Sequence, residues 1–349
     1  MELKIGKVKI SQKNCTIIAE AGVNHNCNLN MAEKLIKEAA NSGADIIKFQ
    51  TYKVDSLVTK DSPRFWSWDK ELKKNGTQYD SYSRLDKFGP EQYLKLFNLC
   101  RKYSIEFMST PFDIEAIDML CKIGMKGIKI ASCDITNFPL LEKAAKKKIP
   151  ILLSTGASNL KEISEAVNFI KKINTKIVIM HCTLCYPTKP EDANLAALLE
   201  IRKKFKKHLL GFSDHSLGIN IASSSVLYGV RVIEKHFTYN KKLLISADHP
   251  ISLDPKELRA LRINVDEMIK AIGIEKKIVL NCEQLTRKFA RRSLVSLREI
   301  KKGEIFSFKN ITSKRPGTGI SPKYYKKIMG KKAKIDISED SIINSLHIK

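Results

Sequence analysis

Short β-branched runs alternate with longer segments of helical period along most of the chain. The runs are TIIAEAG from Thr16, DIIKFQT from Asp45, IEFMST from Ile105, GIKIAS from Gly127, PILLSTG from Pro150, KIVIMHC from Lys176, HLLGFSD from His208 and RVIEKHF from Arg231. Segments with apolar residues at three- and four-residue spacing follow each of them, at 30–42, 90–103, 115–123, 139–147, 159–173, 195–206, 219–228 and 254–272. Eight strand-then-helix units of this size predict an α/β chain whose catalytic domain is a (β/α)8 TIM barrel. An open doubly wound sheet is the structural alternative, but its first turn requires a glycine-rich phosphate loop, and GVNHN after the first run does not supply one.

The rhythm breaks once inside the barrel. A polar stretch from Lys53 to Gly89 separates the second strand from its helix, far above the usual βα connection of about 2–6 residues. Insertions at that end of a barrel tend to lie over the active site. Phe65, Trp66 and Trp68 would give this one an apolar underside or anchor it to the barrel wall. After residue 272 the helical period gives way to short strand-like runs punctuated by Gly303, Pro316, Gly317, Gly319, Pro322 and Gly330, the pattern of a small, mostly β domain. The expected organisation is a barrel over 1–275, a charged linker over 276–288 and the small domain over 289–349.

Composition narrows the class. A chain of 349 residues that is 43% hydrophobic and 28% charged is an ordinary folded protein, neither disordered nor fibrous. No apolar run is long enough to span a membrane, and MELKIGKVKISQ lacks the apolar stretch of a signal peptide, so a cytoplasmic location and no membrane partner are expected. The eight cysteines are scattered through apolar segments, which fits reduced thiols better than a disulfide framework. Cys182 and Cys185 form a lone CxxC, read as two packed thiols. The formal charge of +25 favours anionic partners. A nucleic-acid-binding module would cluster its cations with stacking aromatics; aromatics here are 7% and the lysines are spread over helical, solvent-facing positions, so no specific nucleic acid is expected.

In a barrel, the residues that end each strand face the active site. The first run ends in Glu20, with Asn24 and His25 in its loop, and the second in Lys48 and Gln50. The third supplies Ser109 and Thr110, the fourth Lys129 and Ser132 with Asp134 beyond, the fifth Ser154 and Thr155. The sixth gives His181 with Tyr186 following, the seventh Ser213, Asp214 and His215, and the eighth Glu234, Lys235 and His236. Period two sends Lys48 and Gln50 to one face, and likewise Glu234 and His236. Lys48 and Lys129 among the hydroxyls of Thr110, Ser132, Ser154 and Ser213 suit a small di- or trianion carrying phosphate and carboxylate. His215 and His236, on neighbouring strand ends, suit a divalent metal with open positions. A Schiff-base aldolase using Lys48, Lys129 or Lys235 is the competing chemistry; it accounts for neither the histidine pair nor the hydroxyls.

The ordered motifs AEAGVNHNCNL, KFQTYK with LVTK, STPFD, KIASCDITNFPLL, LSTGAS, HCTLCYPT, GFSDHS, EKHFT and ADHPISL resemble the sialic acid synthase family. RPGTGISP lies where that family carries its C-terminal antifreeze-like (SAF) domain. The resemblance implies condensation of phosphoenolpyruvate with an N-acylated hexosamine in its open-chain form, giving a nine-carbon 2-keto sugar acid and phosphate. It implies that Lys48, Thr110, Lys129, Ser132, Ser154 and Ser213 hold phosphoenolpyruvate, and that His215 and His236 hold a divalent ion, typically manganese, with magnesium or cobalt as the alternatives. Glu20 would accept or orient a proton of the attacking water, Asp134 would be a second catalytic carboxylate, and Gln50, Tyr186 and Asp248 would hold sugar hydroxyls. It further implies a homodimer in which the SAF domain caps the partner's barrel and Arg315 contacts the sugar's acyl group. Ser132-Cys133-Asp134 and Leu184 depart from the Ser-Gly-Glu and Asn usual in N-acetylneuraminate-forming members. Both departures fall on the sugar side, so the acceptor is left as N-acetylmannosamine or a bacillosamine-related diacetamido-dideoxy hexose, with a pseudaminic-type precursor less favoured.

Overall fold

The computed structural model describes residues 2–66, 75–243 and 246–349. The chain divides into two compact units, Met1–Gly273 and Ile274–Lys349.

The first unit opens with a hairpin, β1 (Leu3–Ile5) and β2 (Val8–Ile10), turned at Gly6 with φ +54°. A side chain there would also collide with the Glu106 carboxylate about 2.0 Å away, so glycine is required twice over. Eight parallel strands follow: β3 (Thr16–Gly22), β4 (Ile46–Thr51), β5 (Glu106–Pro111), β6 (Ile128–Ile130), β7 (Ile151–Ser154), β8 (Ile177–Cys182), β9 (Leu209–Asp214) and β10 (Val230–His236). They pair in sequence order and β10 closes on β3, with His236 beside Glu20. This is the expected barrel, and each expected strand lies within a residue or two of the observed one.

Helices fill the crossovers: α1 (Leu29–Asn41), α4 (Pro90–Lys102), α5 (Ile114–Ile123), α6 (Phe138–Lys146), α7 (Leu160–Lys171), α8 (Ala197–Lys204), α9 (Asn220–Ser225) and α10 (Pro255–Ile272). Two short helices, α2 (Val54–Leu57) and α3 (Gln78–Tyr82), lie within the long insertion. Side chains start most of the long helices. Asn28 accepts from the amides of Asn30 and Met31, and Asn159 and Asp254 form reciprocal boxes with Glu162 and Glu257, satisfying amides that a helix leaves unpaired. In the insertion, Trp66 packs on Tyr82 at 5.6 Å and Tyr82 on Tyr52 at 5.7 Å. That ring ladder ties it to the barrel rim, whereas Phe65 is exposed. Trp68 lies outside the described residues.

Strand alternation sorts the side chains. Outward residues such as Ile17, Ile47, Phe107, Leu153 and Ile233 pack with the helices. Inward residues Ile18, Ile46, Met108, Leu152, Val178, Leu209 and Val232 join Leu3, Ile5 and Ile10 of the hairpin in a separate apolar layer. The hairpin therefore plugs the barrel's N-terminal end. Fully burying an Ile such as Ile5 contributes about 2 kcal/mol.

The second unit begins before the small domain proper. The stretch expected as a linker holds α11 (Gln284–Ala290), led by a turn in which Glu283 accepts from the Leu280 amide at 2.8 Å. Strands β11 (Ser293–Ser296) and β12 (Ile311–Lys314) pair antiparallel, and isolated bridges such as Ile300 to Ile337 and Ala333 to Ile348 extend the pairing. Helix α12 (Tyr325–Ile328) adds Ile328 to a core of Leu294, Phe306, Ile311 and Ile343. No described helix is long and apolar enough to cross a membrane.

Candidate active site

Two residues beyond the apolar layer, the barrel interior changes character. Ile18, Ile46, Met108, Leu152, Met180 and Val232 give way, each on its own strand, to Glu20, Lys48, Thr110, Ser154, Cys182 and Glu234. Lys129 and Ser213 complete the layer from β6 and β9. All are buried. Period two thus brings Glu20, Lys48, Thr110, Lys129, Ser154, Ser213 and Glu234 into one layer inside the barrel, because one row of inward positions per strand is polar, whereas Ser109 bonds Thr51 and His181 the Ala193 carbonyl outside that layer.

The layer is held by ion pairs. The Lys48 ammonium lies 2.7 Å from Glu20 Oε2 and 3.8 Å from Glu234 Oε2, and donates to Thr110 Oγ1 at 2.7 Å. Lys129 sits 3.2 Å from Glu234 Oε1, which also accepts from Ser213 at 3.1 Å. Gln50 donates to Glu20 Oε1 at 3.0 Å. Lys48 and Gln50 do point together, as do Glu234 and His236. Burial pushes the Glu20 carboxyl up to about 7 against the opposing Lys48 charge. Glu234 meets the same burial, but Lys129 and Lys48 hold it down at about 2. Of the two carboxylates, Glu20 is therefore the one that takes a proton more readily.

The strand-end reading places Glu234 but gives it no role, and the structure makes it the partner of both buried lysines. Its shared face with His236 was the available signal. Ser154 Oγ is buried with no hydrogen-bond partner among the described residues, and Ser132 Oγ accepts from the Gly156 amide at 2.9 Å, leaving its hydroxyl proton to donate elsewhere.

The two histidines meet above the layer, with ring centroids 5.4 Å apart. His215 Nδ1 lies 2.9 Å from the Thr183 carbonyl, which fixes the proton there and leaves Nε2 as a lone pair. His236 Nδ1 is buried without a hydrogen bond and lies 3.7 Å from Asp248 Oδ2. Burial lowers His215 to about 4 and His236 to about 3, aided by His236 and Lys48 respectively. Both rings are therefore neutral, the form that ligates metal. No group of three or more His, Cys, Asp or Glu that could hold a metal occurs among the described residues; the candidate ligands here are these two imidazoles.

Tyr186 stacks 4.0 Å from His215 and 6.1 Å from His236. Asp134 sits on a turn after β6, accepting from Asn137 at 3.2 Å and from Cys133 at 3.6 Å, and burial raises its pKa. Leu184 packs over Gly156, where an added Cβ would stand 2.8 Å from Leu184 Cγ and 2.9 Å from Ser132 Oγ. Cys182 is buried 3.9 Å from His215, but Cys185 is exposed; the CxxC is thus not two packed thiols, since the chain leaves the barrel between them. Lys235 faces outward, paired to Asp214 at 2.8 Å and donating to the Ser216 carbonyl, which removes it from the interior. Arg315 lies exposed in the second unit.

A model of the NeuB family matches residues 35–277, and a model of the SAF domain matches 291–348. The chain is 41% identical to the N,N'-diacetyllegionaminic acid synthase of Campylobacter jejuni, over 95% of this chain and 99% of that one. It is 37% identical to the synthase of the same name from Legionella pneumophila, over 98% and 97%. A crystal structure of N-acetylneuraminic acid synthetase from Leptospira borgpetersenii, 36% identical, superposes with a TM-score of 0.73 over 82% of this chain and 95% of that one. The chain is an enzyme of the NeuB family carrying an SAF domain.

Proposed function

We propose that the enzyme condenses phosphoenolpyruvate with the open-chain aldehyde of an N-acylated hexosamine, giving a nine-carbon 2-keto sugar acid and phosphate. The observation that carries this reading is the buried layer in which Lys48 and Lys129 meet the hydroxyls of Thr110, Ser154 and Ser213. Two ammonium groups with oriented donors suit a substrate bearing phosphate and carboxylate. The unpartnered Ser154 hydroxyl is a donor waiting for a ligand.

His215 and His236 would hold a divalent ion, manganese by family resemblance, and two neutral imidazoles with a fixed tautomer at His215 fit that role. When bound, such an ion supplies Lewis-acid polarisation of the acceptor aldehyde. The protein's own groups do the rest. Lys48 and Lys129 neutralise the phosphate as charge moves onto it. A bond forms between C3 of the enolpyruvate and the aldehyde carbon, whose oxygen takes up a proton; water adds at C2, and phosphate departs. Glu20, whose proton affinity burial raises, accepts the proton released by that water. Gln50 orients Glu20 through their hydrogen bond. Tyr186, Asp134 and Asp248 line the acceptor side.

The two synthases at 41% and 37% identity are named for diacetyllegionaminic acid and the structural neighbour at 36% for N-acetylneuraminic acid; the higher identity and fuller coverage of the first favour a diacetamido-dideoxy hexose over N-acetylmannosamine as the acceptor. Leu184 in place of an amide, and Asp134 in place of the longer glutamate, are consistent with a less hydroxylated sugar. Arg315 of a second chain completes the site in this proposal, so the working unit is a homodimer. The Schiff-base alternative needs a neutral amine. Burial pushes the Lys48 amine down, but Glu20 and Glu234 more than offset it and keep the group charged. The test is phosphate release that depends on acceptor and manganese, is lost in His215→Ala/His236→Ala, and is accompanied by no borohydride-trapped adduct. Release that survives the double substitution would exclude the histidine pair.

A further inference from the structure

We infer that the second unit carries a binding site for an oligophosphate anion, in the cleft between α11 and the loop over 315–323. The cleft holds about 630 Å³ and is lined by Arg287, Lys288, Arg291, Arg292 and Lys323, with no Asp or Glu among its lining residues.

None of these five cations is in an ion pair among the described residues, although cations elsewhere in the same unit are. Arg298 meets Glu304, Lys301 meets Glu299 and Lys314 meets Asp340, each at 2.5 Å. Five like charges around one concavity repel one another unless an anion sits among them. The walls are built against each other. The Gly317 amide donates to the Lys288 carbonyl at 2.8 Å, and a Cβ on Gly317 would stand 2.7 Å from Arg291 Cβ. Glycine is therefore what lets the loop close on the helix end, and the cleft is preformed.

The lining also selects the ligand. Three guanidinium groups offer paired donors that match phosphate oxygens, and two ammonium groups add charge. The nearest rings, Phe289 and Tyr324, are not among the lining residues and are already met by the ammonium groups of Lys288 and Lys323 at 5.2 and 4.7 Å, so a nucleobase attached to the phosphates would have to displace those contacts to stack. Recognition is of the phosphate chain. This site is independent of the phosphoenolpyruvate reading, since its binding needs no turnover.

Calorimetry on the full chain tests it, with phosphate, pyrophosphate, tripolyphosphate, ATP, CTP and citrate titrated at about 0.15 M salt. Affinity is expected to rise from phosphate to tripolyphosphate, with ATP and CTP equal to tripolyphosphate. Arg287→Ala/Lys323→Ala, both at exposed positions, should weaken tripolyphosphate about tenfold or more without shifting the thermal unfolding midpoint, whereas Lys129→Ala should leave it bound. Binding that survives the cleft double variant, or is lost in Lys129→Ala, would place the anion in the barrel instead. Citrate binding as tightly as tripolyphosphate would overturn the phosphate assignment. Affinity for single-stranded oligonucleotides that grows with length, with no tripolyphosphate binding, would make the cleft a nucleic-acid surface and overturn it too.

Discussion

Lys48 and Glu20 stand 2.7 Å apart inside the barrel, each about 3% exposed. Neither charge reaches bulk water, so each is tolerable only because of the other and of the groups around them. Replacing Lys48 by Met leaves Glu20 and Glu234 buried together. Lys48→Met is expected to cost about 3–5 kcal/mol in stability and to abolish activity. Adding Glu20→Gln should restore part of the stability and none of the turnover, as read by denaturant unfolding and phosphate release.

Ser154 gives the opposite dissociation. Its buried hydroxyl has no partner to lose, so Ser154→Ala should be neutral in thermal unfolding or raise Tm slightly. The same change should raise KM for phosphoenolpyruvate about ten- to a hundredfold, the worth of one hydrogen bond to a charged group. A loss of stability without a change in KM would show the hydroxyl to be structural.

Much of this layer was readable in the amino-acid sequence. The eight strands were legible because outward residues such as Ile17 and Ile47 must be apolar while the inward row switches from Ile18 and Ile46 to Glu20 and Lys48. Once strand ends were marked, the period of two placed the cations and hydroxyls. Glu234 was harder, because its partners Lys48 and Lys129 come from strands that only barrel closure brings near it. The hairpin of β1 and β2 escaped notice because three-residue strands flanked by lysines carry too little pattern. The basic cleft was also hidden, since α11 and the loop near Gly317 are separated in the sequence by the strands they flank.

His25 sets a pH dependence. It is buried, stacked on Phe88 with centroids 4.6 Å apart, and burial lowers its pKa to about 4. Between its unfolded value of about 6.5 and that folded value, the unfolded chain binds a proton that the native chain refuses. Stability is therefore full above about 6.5 and falls with acidification toward 4, by at most about 3 kcal/mol for this residue. His25→Gln should flatten that part of the pH–stability curve measured by chemical denaturation. An unchanged slope would mean that His25 does not contribute.

Shared sites predict complementation. A chain with Arg315→Ala and a chain with Lys129→Ala are each expected to be inactive as homodimers. A heterodimer would contain one intact site of two and recover about half the wild-type activity per dimer. Purified heterodimers with no recovery would count against a partner's Arg315 completing the site.

The most direct measurement of the central claim is the mass of the product formed from phosphoenolpyruvate and manganese with either a diacetamido deoxy hexose or N-acetylmannosamine, with phosphate release followed alongside. The expected result is acceptor-dependent phosphate release, one phosphate per nine-carbon keto acid, and faster turnover of the diacetamido sugar. Phosphate release that ignores the acceptor, or no condensation product with any N-acyl hexosamine, would contradict it.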